Sequence, residues 1–192
     1  MKTKIKIKIG FFSLLMLSAI FMTSSSYLPV LILSVAIHEF GHVVIARLCG
    51  IELSELKLGI FGASIIPRRN IFSYKKEILL CLGGPAFNFL SAFLFYHLRK
   101  DPNSLFLISS LSLGILNLFP IQGFDGGRIF EAFLCLLLTP QKSEVIIKTT
   151  SFFCLFILWI ISVYLLIKAS ASLSLFIFSA SMFAKIFIPD IT

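Results

Sequence analysis

One apolar stretch, from Tyr27 to Cys49, is long enough to span a lipid bilayer and carries the sequence His38-Glu39-Phe40-Gly41-His42 near its centre. On a helix the two histidines lie one turn apart on the same face, where they can share one zinc ion, with the glutamate beside them as a base. Ionisable side chains in the middle of a membrane helix cost about 2.5–3.5 kcal/mol each on insertion scales, so something must compensate them. The pattern therefore predicts a metal centre within a membrane.

The composition indicates a membrane protein. The chain of 192 residues is 58% hydrophobic and 14% charged, with a mean hydropathy of +1.00. A soluble core of this size cannot bury so much apolar surface. We therefore predict an all-α polytopic membrane protein, one domain over residues 1–192, with about six transmembrane helices. The apolar runs lie near 9–26, 27–49, 78–98, 105–122, 146–167 and 171–188.

The distribution of basic residues predicts the orientation. The net charge of +8 could suggest nucleic-acid binding, but 14 of the 17 Lys and Arg residues fall on the side of the predicted spans that holds the N-terminus. Only Arg99, Lys100 and Lys168 fall on the other side. This asymmetry places both termini in the cytoplasm and gives no support to a nucleic-acid partner. The lysine-rich start followed by an apolar run also resembles a secretory signal peptide, but no clear small-x-small cleavage site precedes Tyr27, so we expect it to be retained.

The segment 51–76 differs from its apolar neighbours, because it alternates apolar and polar residues between glycines. We predict a β-hairpin or small sheet there, at the cytoplasmic surface after the second helix. It could be a basic loop that binds anionic lipid, or an exposed strand edge that pairs with an extended substrate. The four cysteines, which show no CxxC spacing, are interpreted as buried thiols.

The fourth apolar run ends in a segment that should break the helix. Pro120 removes a backbone donor, and Gly123 and Gly126 loosen the backbone after it. Irregular backbone at membrane depth is tolerated where it lines a polar cavity, so we expect a chamber opening to the cytoplasmic side. A catalytic zinc takes three protein ligands and a water molecule, and Asp125 is the strongest candidate for the third ligand. Weaker candidates are Glu52, Glu55, Glu77, His97 and Glu131.

Three separated blocks give the chain a family resemblance. They are HEFGH at 38–42, GGPAFN at 83–88 and NLFPIQGFDGG at 117–127. Together they resemble the site-2 proteases, which are intramembrane zinc metalloproteases, and the compact bacterial sporulation-type branch is the closest likeness. The resemblance covers about 30–130 and places the catalytic core at about 27–130, with helices five and six at 146–188. The PDZ and CBS domains of some family members are not expected here, so regulation would come from a partner membrane protein.

The resemblance also implies roles for individual residues. His38, His42 and Asp125 would hold one zinc ion, Glu39 would act as general base, and the active site would face the cytoplasmic side of a bacterial membrane. Asn117 and Asn88 would bind the substrate or stabilise the oxyanion, although asparagines also serve as hydrogen-bonding groups between membrane helices. The implied substrate is a membrane-tethered protein whose cleavage releases a transcription or sigma factor. A non-catalytic zinc-stabilised scaffold and a metal transporter remain alternatives. A scaffold would not require Glu39 as a base, and a transporter would usually spread polar residues through both leaflets, whereas here they cluster at one depth.

Overall fold

The computed structural model describes residues 6–9, 28–51, 53–59, 62–67, 73–102 and 104–169, together with residues 176, 179, 180 and 183. Five helices and three strands lie in these ranges. The chain divides into two compact units, residues Met1–Leu118 and Phe119–Thr192. The first unit contains the HExxH motif and the second contains Asp125.

The first unit is built on three helices, α1 (Leu28–Leu48), α2 (Tyr74–Arg99) and α3 (Leu105–Asn117). Each packs against the other two. Helix α1 ends where Gly50 adopts a positive φ of 66°, and α2 ends where Lys100 adopts a φ of 53° and its N–H bonds the Tyr96 carbonyl. Both ends are left-handed caps, in which backbone N–H groups beyond the helix bond carbonyls of its last turn.

The α1–α2 contact is a direct backbone approach. The Cα of Gly41 on α1 lies against the Gly83 carbonyl of α2, so closely that a Cβ at either position would collide with the other backbone. Small residues at such a crossing allow membrane helices to gain van der Waals contact, since lipid tails supply no hydrophobic driving force between helices. On α1 and α3, the hydroxyls of Ser34 and Ser110 lie 3.1 Å apart and are both buried. These contacts fix α1 beside α2 and α3.

Strands β1 (Lys6–Ile9), β2 (Leu53–Gly59) and β3 (Gly62–Pro67) form one sheet in that spatial order. β1 pairs in parallel with β2, and β2 pairs antiparallel with β3, with Gly59 opposite Gly62 at the turn. A register irregularity lies between Leu53 and Glu55. The placement of this sheet at the cytoplasmic surface stays a prediction.

The second unit contains α4 (Asp125–Leu137) and α5 (Pro140–Ala169), which pack against each other. Ile121, Ile147 and Leu155 are fully buried. The segment 129–138, which follows the glycines after Pro120, lies mostly within α4. The unit therefore joins a short helix beginning at Asp125 to a long apolar helix.

The expectation of six transmembrane spans is not supported. Among the described residues three helices are long and apolar enough to cross a membrane, Pro29–Leu48, Tyr74–Arg99 and Pro140–Tyr164, and they correspond to the predicted spans 27–49, 78–98 and 146–167. The predicted span 105–122 is wrong in length, because α3 ends after 13 residues at Asn117, three positions before Pro120. Apolar side chains continue past that point, but the backbone does not remain helical. The predicted spans 9–26 and 171–188 fall almost entirely outside the described residues.

Candidate metal centre

The two histidines of the HExxH motif converge within the first unit. His38 and His42 lie four residues apart on α1, and both side chains are buried. Their Nε2 atoms are 3.2 Å apart, and their rings meet edge to face with centroids 4.9 Å apart. Two nitrogen ligands of one tetrahedral zinc ion, each about 2.0–2.1 Å from it, are about 3.3 Å apart. The observed spacing therefore fits a shared zinc ion.

The outer nitrogen of each ring has a partner on α2. His42 Nδ1 donates to the Leu80 carbonyl at 2.8 Å, since a carbonyl oxygen can only accept. His38 Nδ1 lies 3.3 Å from the amide nitrogen of Asn88, a side chain with no exposed surface. Metal-binding histidines usually hold their second nitrogen in such a hydrogen bond, which fixes the ring orientation. Helix α2 thus aims both Nε2 atoms at the same point.

Gly84 of α2 faces that point. A Cβ added to Gly84 would lie 2.5 Å from the Nε2 atoms of both His38 and His42. Glycine keeps the space between the two nitrogens and the α2 backbone open, which is a second observation that fits an ion held there. The sequence singled out Gly84 only as part of the GGPAFN block, and nothing in that block alone shows that the missing side chain adjoins the imidazoles.

Glu39 and Asn117 are placed differently. Glu39 follows His38 on α1, is partly buried, and has its Oε2 atom fully shielded from solvent. Its role as a base stays a prediction. Asn117, the last residue of α3, donates from Nδ2 to the Leu113 carbonyl of its own helix at 3.0 Å. Its side chain therefore caps α3 locally.

Asp125 lies in the second unit, as the first residue of α4, and is buried. A carboxylate is favoured there because the N-terminal end of a helix carries partial positive charge. The preceding loop is held by a 2.7 Å bond from the Gln122 backbone N–H to the hydroxyl of Ser151, a fully buried residue of α5. Gly123 in this loop has a φ of 102°, which a side chain would strain. Ser151 was not identified from the sequence, because a serine in an apolar helix gives no sign of which backbone group it will meet.

The rival ligand candidates are less well placed. His97 is exposed and its ring lies 4.5 Å from that of Phe93, and Glu77 is in the first turn of α2. Glu131 is partly exposed in the middle of α4. Glu52 and the side chain of Glu55 lie outside the described residues. His38, His42 and Asp125 are all buried, and each offers one atom that can bind a metal ion.

The chain is similar to a family model, to a curated protein and to a solved structure. The family model described as "Peptidase family M50" matches residues 26–99 and 101–158. Stage IV sporulation protein FB of Bacillus subtilis (strain 168) is 28% identical over 142 residues, covering 69% of this chain and 49% of that protein, so the chain spans about half the length of this curated relative. The structure of the site-2 protease from Methanocaldococcus jannaschii superposes with a TM-score of 0.67 at 22% identity, covering 95% of this chain and 89% of the other. The last match shows a shared fold.

Proposed function

Because the chain belongs to peptidase family M50, a family of zinc metalloproteases, we propose that it is an intramembrane zinc metalloprotease. It hydrolyses a peptide bond within or next to a transmembrane segment of a membrane-tethered protein. The observation that carries the proposal is the pair of Nε2 atoms of His38 and His42, 3.2 Å apart and facing Gly84, on a helix apolar enough to cross a membrane.

The proposed ligands are His38, His42 and Asp125, holding one zinc ion per chain. All three side chains are buried, and each offers one ligand atom. Three protein ligands leave one position for water, as catalytic zinc sites require. An aspartate oxygen is an ordinary zinc ligand, and the burial of Asp125 shields its carboxylate from bulk solvent.

Zinc bound at this site would activate a water molecule and polarise the scissile carbonyl. Glu39 would accept a proton from the attacking water and pass it to the leaving amine, so no covalent intermediate would be needed. Asn117 is proposed to bind the substrate backbone or the developing oxyanion. For this its amide must exchange the bond to the Leu113 carbonyl for one to the substrate.

The proposed substrate is a membrane-tethered protein whose cleavage releases a transcription or sigma factor to the cytoplasm. The similarity to a stage IV sporulation protein supports a role of this kind. A helical substrate must unwind before cleavage, since its peptide groups are already hydrogen-bonded. Strand β3, which pairs on one side with β2, offers an edge on which the unwound segment could be held. Both termini and the opening of the site are proposed to face the cytoplasm, and a partner membrane protein would regulate access.

The first test is zinc content in detergent-purified protein. We expect about one zinc ion per chain in the wild type and a sharp loss in Asp125→Ala. Glu131→Ala is the matched control, because it removes another carboxylate from the same helix, one that was a rival ligand candidate. Equal zinc content in Asp125→Ala and the wild type would exclude Asp125 as the third ligand. Loss of zinc only in Glu131→Ala would make Glu131 the third ligand instead.

The second test separates catalysis from metal binding. Wild type and Glu39→Gln are reconstituted into liposomes with a single-span reporter that carries a soluble fluorescent domain. We expect metal-dependent release of that domain by the wild type, none by Glu39→Gln, and the same zinc content in both. Cleavage by Glu39→Gln at the wild-type rate would remove Glu39 as the base.

A further inference from the structure

Three hydrogen bonds around the two histidines run in one direction when the amide nitrogen of Asn88 faces His38. His42 donates from Nδ1 to the Leu80 carbonyl, so its Nε2 carries a lone pair when the ring is neutral. An amide nitrogen can only donate, so Nδ2 of Asn88 gives its hydrogen to His38 Nδ1, and the hydrogen of His38 is then on Nε2. His38 Nε2–H in turn donates to His42 Nε2 at 3.2 Å. The chain of donors is consistent, but it places a hydrogen where a metal ligand needs a lone pair.

Metal binding requires the opposite arrangement at His38. Both Nε2 atoms must offer lone pairs to a shared ion, so the single hydrogen of neutral His38 must be on Nδ1. With the amide as it stands, Nδ1–H and the Asn88 NH₂ group would then be two donors facing each other at 3.3 Å. One of the two groups must change, and the His38 ring is fixed by its need to face the ion.

The Asn88 amide is able to make that change. Its other end, Oδ1, is buried and accepts no hydrogen bond among the described residues. The oxygen and NH₂ ends of an amide have nearly the same size, so a half-turn about the last side-chain bond exchanges them in place. This half-turn replaces the hydrogen bond between Nδ2 and His38 by one between Oδ1 and His38. It breaks no hydrogen bond between the Asn88 amide and another described residue. His38 remains neutral with one N–H throughout.

We propose that Asn88 is the positioning residue of His38. When His38 holds a metal ion, the amide oxygen Oδ1 of Asn88 accepts a hydrogen bond from His38 Nδ1–H. This inference rests on the proposed zinc site. It replaces the expectation that Asn88 contacts the substrate or oxyanion, because its side chain is fully buried and adjoins the nitrogen of His38 that points away from Gly84.

Three variants test this role through zinc affinity, measured by competition with a chelator on detergent-purified, full-length protein. Asn88→Leu removes the acceptor and should weaken zinc binding about 10- to 100-fold. Asn88→Asp can accept from Nδ1–H but cannot donate, and should bind zinc within about threefold of the wild type, or more tightly. Ser110→Ala, which removes a buried bond between α1 and α3 but touches neither histidine, should leave the affinity unchanged.

A second readout separates positioning from a purely structural role. The rise in unfolding temperature on adding zinc should shrink in Asn88→Leu and persist in Asn88→Asp and Ser110→Ala. A structural role would lower the unfolding temperature of the metal-free protein and leave this rise intact. If Asn88→Leu does not fold, Asn88→Ala carries the same test.

The outcomes are distinct. Wild-type affinity in a folded Asn88→Leu would overturn the positioning role. Asn88→Asp as weak as Asn88→Leu would show that the amide acts as a donor, which overturns the role of Oδ1 as acceptor. A wild type that holds no zinc would overturn the proposed function, and this inference with it.

Discussion

Replacing Gly84 by alanine should destroy the metal site while leaving the fold in place. The added Cβ would lie 2.5 Å from the Nε2 atoms of both His38 and His42, whereas real Cβ atoms essentially never approach another heavy atom closer than 3.0 Å. Both rings would therefore have to move by at least about 0.5 Å. Ligand distances in zinc sites hold within about 0.2 Å, so this displacement is too large for the pair to keep a shared ion.

The rings also have no easy way to retreat. Their outer nitrogens are bonded to the Leu80 carbonyl and Asn88 on α2, and α1 touches α2 through backbone at Gly41. We expect zinc binding to weaken at least about 100-fold, equivalent to about 2.7 kcal/mol. Overpacking should also lower the stability of the metal-free protein by about 1–3 kcal/mol.

Gly114→Ala is the matched control for this prediction. It also overpacks a buried glycine of the first unit, but its Cβ would meet the edge of the Phe89 ring at 2.9 Å. It would touch the Cβ of Asn88 only at an ordinary contact distance of 3.4 Å, and no histidine atom is among its nearest neighbours. We expect a similar stability loss with unchanged zinc affinity, both measured by chelator competition and thermal unfolding in detergent. A folded Gly84→Ala protein that binds zinc within about threefold of the wild type would refute the reasoning.

Contacts away from the imidazole rings give three further predictions. Gly41→Ala should force α1 and α2 apart and lower both thermal stability and zinc content, and normal values of both would contradict the close backbone approach. A double-mutant cycle of Ser34→Ala and Ser110→Ala, measured by unfolding in detergent, should give a coupling energy of about 0.6 kcal/mol, the average for hydrogen bonds between membrane helices. Additive effects of the two substitutions would show that the hydroxyls are not bonded. Ser151→Ala should weaken zinc binding several-fold by releasing the loop before Asp125. Ser143→Ala, which removes a buried serine of the same helix that bonds the Thr139 carbonyl just before that helix, should have no effect on zinc affinity.

The family and the histidine pair could be predicted from the sequence. Helical geometry fixes the side chains of residues i and i+4 on one face, so HEFGH within an apolar run was enough to bring His38 and His42 together. The resemblance to the site-2 proteases, drawn from three blocks, is confirmed by the family match and by the similar curated protein and structure. The break before Pro120 was also anticipated, because proline acts through its own ring and missing N–H.

The rest depended on contacts between helices, which the sequence does not specify. The Leu80 carbonyl is a backbone group that any residue would offer, and Gly84 matters for the atoms it lacks. The span count failed for a related reason. Hydropathy measures side chains, and Leu118, Phe119 and Ile121 extend an apolar run beyond the point where α3 has ended at Asn117.

The shortness of α3 has a consequence for the lipid around it. A helix of 13 residues is about 20 Å long, whereas the hydrocarbon layer of a bilayer is about 30 Å thick. If α3 enters from one surface, its last carbonyls stop about 10 Å short of the other, or the leaflet there must thin by as much. Lipid cannot satisfy the non-helical backbone that follows α3, so that segment must be buried in protein or line a water-filled cavity. A metalloprotease of the proposed kind needs water within the membrane, and such a cavity would supply it.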